Sequence, residues 1–319
     1  MTVFNRQTVR RHRDRAAAAF GDHDFLFRES AERLSDRLDD VKRGFPLALD
    51  LGCHTGQLAR ALKGRGGIGT LVQCDLAPAM ATEAAQAAAL ADANALAEPR
   101  ALAEAATLAL AGDEEWLPFG EGCFDLVMSN LSLHWVNDLP GALVQVCRAL
   151  KPDGLFLASM LGGETLNELR QALAEAEIAE EGGLSPRVSP MADVRDAGGL
   201  LQRAGFALPV ADSDTLTVIY PDPMKLMADL RGMGEANALI ESRKGFTRPR
   251  TLAAAAARYS ELFADEKGNV PATFQVITLT GWAPDPSQQQ PLKPGSATSR
   301  LAEALDTEEI SAGEKAKPG

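Results

Sequence analysis

Carboxylates recur where short apolar runs of this chain give way to polar turns. The stretch at 47–58 reads LALDLGCHTGQL, with Asp50 ending the apolar run, Gly52 and Gly56 following, and His54 between them. A second run, TLVQCD at 70–75, ends on Asp75. A third, at 106–111, is followed by Asp113 and Glu114 in GDEEWLPF. A dinucleotide fingerprint requires glycine at 52, 54 and 57, the second to admit a pyrophosphate and the third to admit close helix packing. This chain has Gly52, His54 and Gln57, and the G-K-[ST] ending of a phosphate loop is missing too. A carboxylate at Asp50 repels a pyrophosphate and attracts an ammonium. One at Asp75 accepts both hydroxyls of a ribose, and one at Asp113 accepts an exocyclic amine.

These acids need a frame that brings them together. FPLALDLG (45–52), TLVQCD (70–75), CFDLVMSN (123–130) and GLFLASM (154–160) are continuous apolar runs, the pattern of parallel strands covered on both faces. Helical spacing lies between them, as at Leu58, Ala61 and Leu62, and at Leu139, Leu143, Val146 and Leu150, with Asn137 expected as N-cap and 152–154 as a stop. Alternating strand and helix predicts a doubly wound, Rossmann-like α/β fold. The alanine-rich stretch 80–110 reads as a helical, partly mobile insertion with the third strand at 106–111. Helices are expected near 163–179 and 189–204, the latter with Ser189 as N-cap and Pro190 at N1. Two long strands, 208–220 and 272–282, are expected to form an antiparallel hairpin at the sheet edge, with the helices between them roofing the site. In such folds ligands sit beyond the carboxyl ends of the strands. Singly, each acid reads as a helix cap or a solvated loop residue. Three at successive strand ends describe one ligand with an ammonium, a ribose and an adenine, which is S-adenosylmethionine.

Composition bounds the alternatives. The 319 residues divide into an N-terminal helical segment (1–44), a cofactor-binding core (45–160), substrate-facing helices and edge strands (161–283), and a Pro-, Ser- and Gln-rich tail (284–319) expected to be disordered. A net charge of −12 argues against nucleic acid and anionic membrane as partners. No apolar run suggests a membrane span or secretory segment, so a soluble protein is expected. Arg6, Arg10, Arg11, Arg13 and Arg15 form the one basic cluster, which could be a transit peptide or a nucleic-acid arm but reads first as the solvated face of a charged helix. Cys53, Cys74, Cys123 and Cys147 lack C-x-x-C spacing and read as reduced thiols, consistent with a cytoplasmic location.

The set LDLGCHTGQL, Asp75, GDEEWLPF and FDLVMSNLSLHWVNDLP resembles class I S-adenosylmethionine methyltransferases over about 45–160. The resemblance implies that Asp50, Gly52 and Gly56 hold the methionyl end, with His54 standing where that superfamily has glycine. It implies Asp75, with Leu76 beside it, for the ribose, Asp113 and Glu114 for the adenine side, and Asn130 and Leu131 for the floor under the sulfonium. Further runs over 45–282, including KPDG, GGETLNELR, EGGLSPRVSP, LLQRAGF, DLRGMGEANA, LAAAAARY and VPATFQV, resemble the mitochondrial assembly factor family of respiratory NADH:ubiquinone oxidoreductase (complex I). That family has the methyltransferase fold and is associated with hydroxylation of an arginine in a complex I subunit, so the chain looks like its bacterial relative.

Methyl transfer to an alcohol or amine would use a base, for which His134 is the nearest candidate and Tyr220 a weaker one. His134 reads equally as a pocket wall against Trp135. Iron-dependent hydroxylation ordinarily uses two histidines and a carboxylate, and His12, His23, His54 and His134 have no such spacing, so no metal site is assigned. An arginine-bearing substrate would pair with carboxylates, for which Glu164, Glu168, Asp229 and Glu235 are the candidates. Three functions follow: an arginine hydroxylase acting on a complex I subunit, a methyltransferase of a malonyl-carrier-protein type, and a non-catalytic assembly chaperone.

Overall fold

The predicted apolar runs become strands β1 (Leu47–Leu51), β2 (Thr70–Asp75), β3 (Ala106–Ala111), β4 (Phe124–Asn130) and β5 (Leu150–Leu161), followed by β6 (Ala207–Tyr220) and β7 (Val270–Trp282). The computed structural model describes residues 2–97, 106–243, 245–289, 296 and 301–308. The strands form one sheet in the order β3-β2-β1-β4-β5-β7-β6. The first five run parallel, whereas β7 is antiparallel to both β5 and β6. This is the class I methyltransferase topology, with the expected antiparallel edge.

Side chains alternate across the sheet because successive Cβ atoms of a strand point to opposite faces. Leu49, Val72, Val127 and Phe156 pack on one face against α5 (Leu139–Ala149) and α7 (Val194–Arg203). Ala48, Leu71, Leu126 and Leu155 pack on the other against α2 (Phe25–Asp36) and α3 (Gln57–Leu62). A third cluster joins Phe20, Phe27, Leu166, Leu169, Leu226 and Tyr259 above the sheet. It ties α6 (Asn167–Glu181), α8 (Pro223–Gly232) and α9 (Pro249–Phe263) to the N-terminal segment. That segment holds α1 (Arg6–Ala16) and the 3-10 turn Ala17–Asp22.

Three local expectations are corrected. Asp138, not Asn137, caps α5, its side chain accepting from Gly141 N. The Asn137 side chain is engaged elsewhere, accepting from Val3 N and Phe4 N at 2.7 Å each. No stop separates α5 from β5, because Leu150 leaves the helix directly into the strand and 152–154 lie within β5. α7 begins at Val194 under an Asp193 cap rather than at Pro190. Gly163 N donates to Ala192 O and Gly162 bridges Ala192, which holds the chain extended just where a Ser189-capped helix would have begun.

The alanine-rich stretch forms α4 (Pro78–Ala97), and the mobility expected of it beyond that helix lies outside the described residues. A second compact unit, Asp285–Gly319, is distinct from the first, Met1–Pro284. Most of the expected disordered tail lies outside the described residues, and Leu301–Ala304 forms a single helical turn.

Phe156 is fully buried between β4 and β7 and stacks on Phe206 at 5.2 Å, whereas Ile219 on the outer strand is 59% exposed. Phe156→Ala is therefore expected to cost about 3–5 kcal/mol in urea unfolding, from lost burial and the cavity left behind. Ile219→Thr is expected to stay within about 0.5 kcal/mol.

Candidate functional site

The carboxyl ends of β1, β2 and β3 converge on a nest of acids. Asp50 is fully buried at the end of β1, and neither of its carboxylate oxygens has a hydrogen-bond partner. Burial pushes its pKa up to about 7, and the nearby Asp75 charge adds to it. Asp75 is also fully buried, accepting from Ala77 N (2.8 Å) through one oxygen and from His54 N (3.0 Å) through the other. The chain turns sharply between these acids through Gly52, whose φ is 74°. A Cβ added there would lie 2.1 Å from Ser132 Oγ, so only glycine fits against that hydroxyl.

His54 adopts φ 48°, a left-handed conformation that costs a non-glycine residue roughly 1–2 kcal/mol. Its ring does not fill the turn. It stacks on Phe20 (5.6 Å) and meets Phe27 edge-on (4.6 Å), with Nε2 donating to Asn130 O at 3.1 Å. Burial and the nearby Arg13 guanidinium depress its pKa to about 3, so the ring is neutral. Asn130 is held in turn, donating to Phe27 O and accepting from Ser159 Oγ, both at 2.9 Å. Leu131, at φ 49°, is buried beside it, and Leu76 packs against the cluster of Phe4, Val9 and Trp135.

Two arginines of α1 answer the acids. Arg13, wholly buried, donates from Nη1 to Glu114 Oε1 (3.0 Å) and Asp75 Oδ2 (3.4 Å), and from Nη2 to Ser132 Oγ (2.8 Å). Arg6 donates to Asp113 Oδ1 (2.6 Å) and to Glu114 Oε2. Burial opposes a charge on Glu114, but Arg6 and Arg13 outweigh it and hold the carboxyl at about 2. Arg13 is likewise desolvated, and Asp75 with Glu114 more than compensates, raising its pKa. The solvated-face reading of this helix is corrected: Arg10 and Arg11 are turned to the outside, whereas Arg6 and Arg13 face inward. The signal was present in the spacing, because Arg6, Val9, Arg13 and Ala16 fall on one helical stripe. Ser132 was missed although it lies within the quoted run FDLVMSNLSLHWVNDLP, because a serine beside Leu131 reads as an ordinary turn residue.

On the other side of α1 lies a cavity of about 810 Å³, lined among others by His12, Arg15, Trp135, Leu169, Arg231 and Glu235. Glu235 Oε2 accepts from His134 Nε2 (3.0 Å) and Trp135 Nε1 (2.9 Å), while its buried Oε1 has no partner. Burial favours the neutral acid, but His134 and Arg13 lower its pKa and keep it ionised. His134 Nδ1 is likewise without a partner.

The other candidates are scattered. Glu164 is exposed, and Glu168 is bound to Thr273 N and Oγ1. Asp229 is taken by Lys225 and His23. Tyr220 is buried in the cluster above the sheet, its hydroxyl unpartnered. Among the described residues no three His, Cys, Asp or Glu side chains gather where they could hold a metal ion.

A family model described as a methyltransferase domain matches residues 49–158, the span from β1 to β5. The mitochondrial arginine-hydroxylase NDUFAF5 of Danio rerio is 42% identical over 95% of this chain and 89% of its own length. The chain belongs to the NDUFAF5 arginine-hydroxylase family. A malonyl-[acyl-carrier protein] O-methyltransferase of Halorhodospira halophila is 35% identical over 87% of this chain and 88% of that protein. Among solved structures, the YcgJ protein of Bacillus subtilis superposes with a TM-score of 0.54 at 15% identity, over 79% of this chain and 98% of YcgJ, a likeness of fold.

Asp50 couples this site to stability. The folded protein keeps a proton on Asp50 up to about pH 7, whereas the unfolded chain releases it near its ordinary pKa of about 4. Stability from this group is therefore full below about pH 4 and declines as pH rises to about 7, by up to about 4 kcal/mol. Asp50→Asn is expected to unfold at a higher urea concentration than the parent at pH 8, with the difference vanishing near pH 4.

Proposed function

We propose that this protein binds S-adenosylmethionine at the carboxyl edge of β1–β4 and modifies an arginine of a respiratory complex I subunit by hydroxylation. Support for the cofactor comes from Asp50, a buried carboxyl whose oxygens have no hydrogen-bond partner and whose proton a methionyl ammonium would displace. Asp75 would take the ribose hydroxyls, Asp113 and Glu114 the adenine amine, and Asn130 and Leu131 the floor. When bound, the cofactor supplies a sulfonium with an electrophilic methyl group.

The observation that carries the substrate reading is the free Oε1 of Glu235 at the cavity, in a chain aligned almost end to end with an arginine hydroxylase. An ionised, desolvated carboxylate with one unpartnered oxygen would pair strongly with a guanidinium that reached it. Leu166, Leu169 and Leu173 line the same cavity and suit the methylene stem of that side chain. His134, held by Glu235 and with its Nδ1 unpartnered, is the side chain placed to serve as a base. Hydroxylation also requires molecular oxygen and a reductant, which these residues do not supply. The net charge of −12 supports a protein partner over nucleic acid, and four free thiols support a reducing cytoplasm.

A second reading, methylation of a carrier-protein carboxylate, is favoured by Arg15 and Arg231 on the cavity wall, which would attract an acid. Peptide masses of complex I subunits from strains with and without the gene separate the two. The gain of one oxygen atom on an arginine, lost in the deletion and in a Glu235→Gln strain, is the expected result. Unchanged arginines, together with methyl transfer to a malonyl thioester by the purified protein, would establish the second reading instead.

A further inference from the structure

The acids assigned to the nucleoside already have occupants. Arg13 spans Asp75, Glu114 and Ser132, and Arg6 spans Asp113 and Glu114. Space is closed as well as charge. Ser132 Oγ stands where a side chain on Gly52 would be, Glu114 Oε1 lies 3.4 Å from the same point, and Ser132 donates to Glu114 at 2.6 Å. A ribose cannot enter between Gly52 and Ser132 while the Arg13 head holds these groups together. Resting on the S-adenosylmethionine reading and going beyond it, we infer that α1 is an internal occupant of the nucleoside site, competes with the cofactor for the same carboxylates, and lifts away when the cofactor binds.

The seating of α1 fits an element that leaves. Its fully buried apolar side chains are Val9 and Ala16, a small contact for an eleven-residue helix. What holds it is polar: the arginine pairs, Asp14 Oδ1 accepting from Ala79 N (3.1 Å), and Asn137 beneath Val3 and Phe4. Such a seat weakens as soon as the acids find other donors. The cofactor would return hydrogen bonds to them, ribose hydroxyls to Asp75 and the adenine amine to Asp113 and Glu114, while its ammonium goes to Asp50. The 3-10 turn Ala17–Asp22 supplies a hinge, because Phe20 within it is clamped on His54 and Phe27 while Ala16 before it carries the helix.

Position gives the motion a purpose. Arg13 faces the acid nest, whereas His12, Arg15 and Ala16 line the 810 Å³ cavity, so α1 is the partition between the two. Lifting it opens the nest and joins it to the cavity in one movement.

Two measurements on the full chain test this. The first is calorimetric titration of S-adenosylmethionine into the parent protein and Arg13→Gln. Arg13→Gln is expected to bind about tenfold tighter, within the span usual for coupled sites. The second needs no variant: amide hydrogen exchange across residues 6–16 of the parent is expected to accelerate on saturation with the cofactor. Equal or weaker binding by Arg13→Gln, with α1 as protected as before or more so, overturns the inference and makes Arg13 a cofactor ligand, leaving the S-adenosylmethionine reading intact. No heat with either folded protein removes that reading and the inference together.

Discussion

Asp50, Asp75 and Glu114 are three carboxylates fully withdrawn from water within one turn of each other's strands, and the surrounding structure is arranged to answer their charge. Burying an acid without a partner costs several kcal/mol, so each finds its own solution. Glu114 is ionised between two guanidiniums, Asp75 gathers two backbone amides and one guanidinium, and Asp50 retains a proton. These demands explain features that look local. The glycine at 52 lets the chain pass over Ser132, the left-handed turn at His54 aims its amide at Asp75, and α1 carries arginines on the stripe where an apolar helix would carry leucine.

The same logic organises the far side of α1. Glu235 is reached from the loop after α8, yet its partners His134 and Trp135 follow β4, so one carboxylate ties the roof to the strand ends. The Phe20–His54–Phe27 stack does this from the N-terminal side. A histidine in place of glycine at 54 is thereby accommodated. Its ring is part of the aromatic packing, and its carbonyl partner at Asn130 is the last residue of β4.

Much of this was legible in the sequence because period and strand-end chemistry are local properties. The apolar runs expected at 45–52, 70–75 and 123–130 became strands close to those limits, since buried parallel strands leave continuous hydrophobic runs, and the third strand formed at 106–111 as placed. The edge pair β6 and β7, antiparallel and with β6 largely exposed, was visible instead as two long β-rich stretches. What escaped the sequence were matters of partner choice. Asn137 and Ser189 have the right chemistry for N-caps, but the N-terminal strand-like segment claimed the first and a bridge to Gly162 delayed the helix after the second. Arg13 was read as surface because arginine usually is, and only three acids 62 residues or more away make its burial tolerable. Of the four candidate substrate acids, sequence had no means of knowing that Glu168 and Asp229 would be spent on Thr273, Lys225 and His23.

The wide chain separation between Arg13 and its partners bears on how the molecule is made. Its bonds to Asp75, Glu114 and Ser132 span 62, 101 and 119 residues. Contacts of such long range form late, after the loop entropy between them has been overcome. A segment synthesised well before its partners must therefore wait, unsatisfied, until β4 and the turn beyond it have been synthesised and docked. Through that interval α1 keeps its arginines unpaired with these acids. The order of biosynthesis thus runs opposite to the order of assembly at this end of the chain.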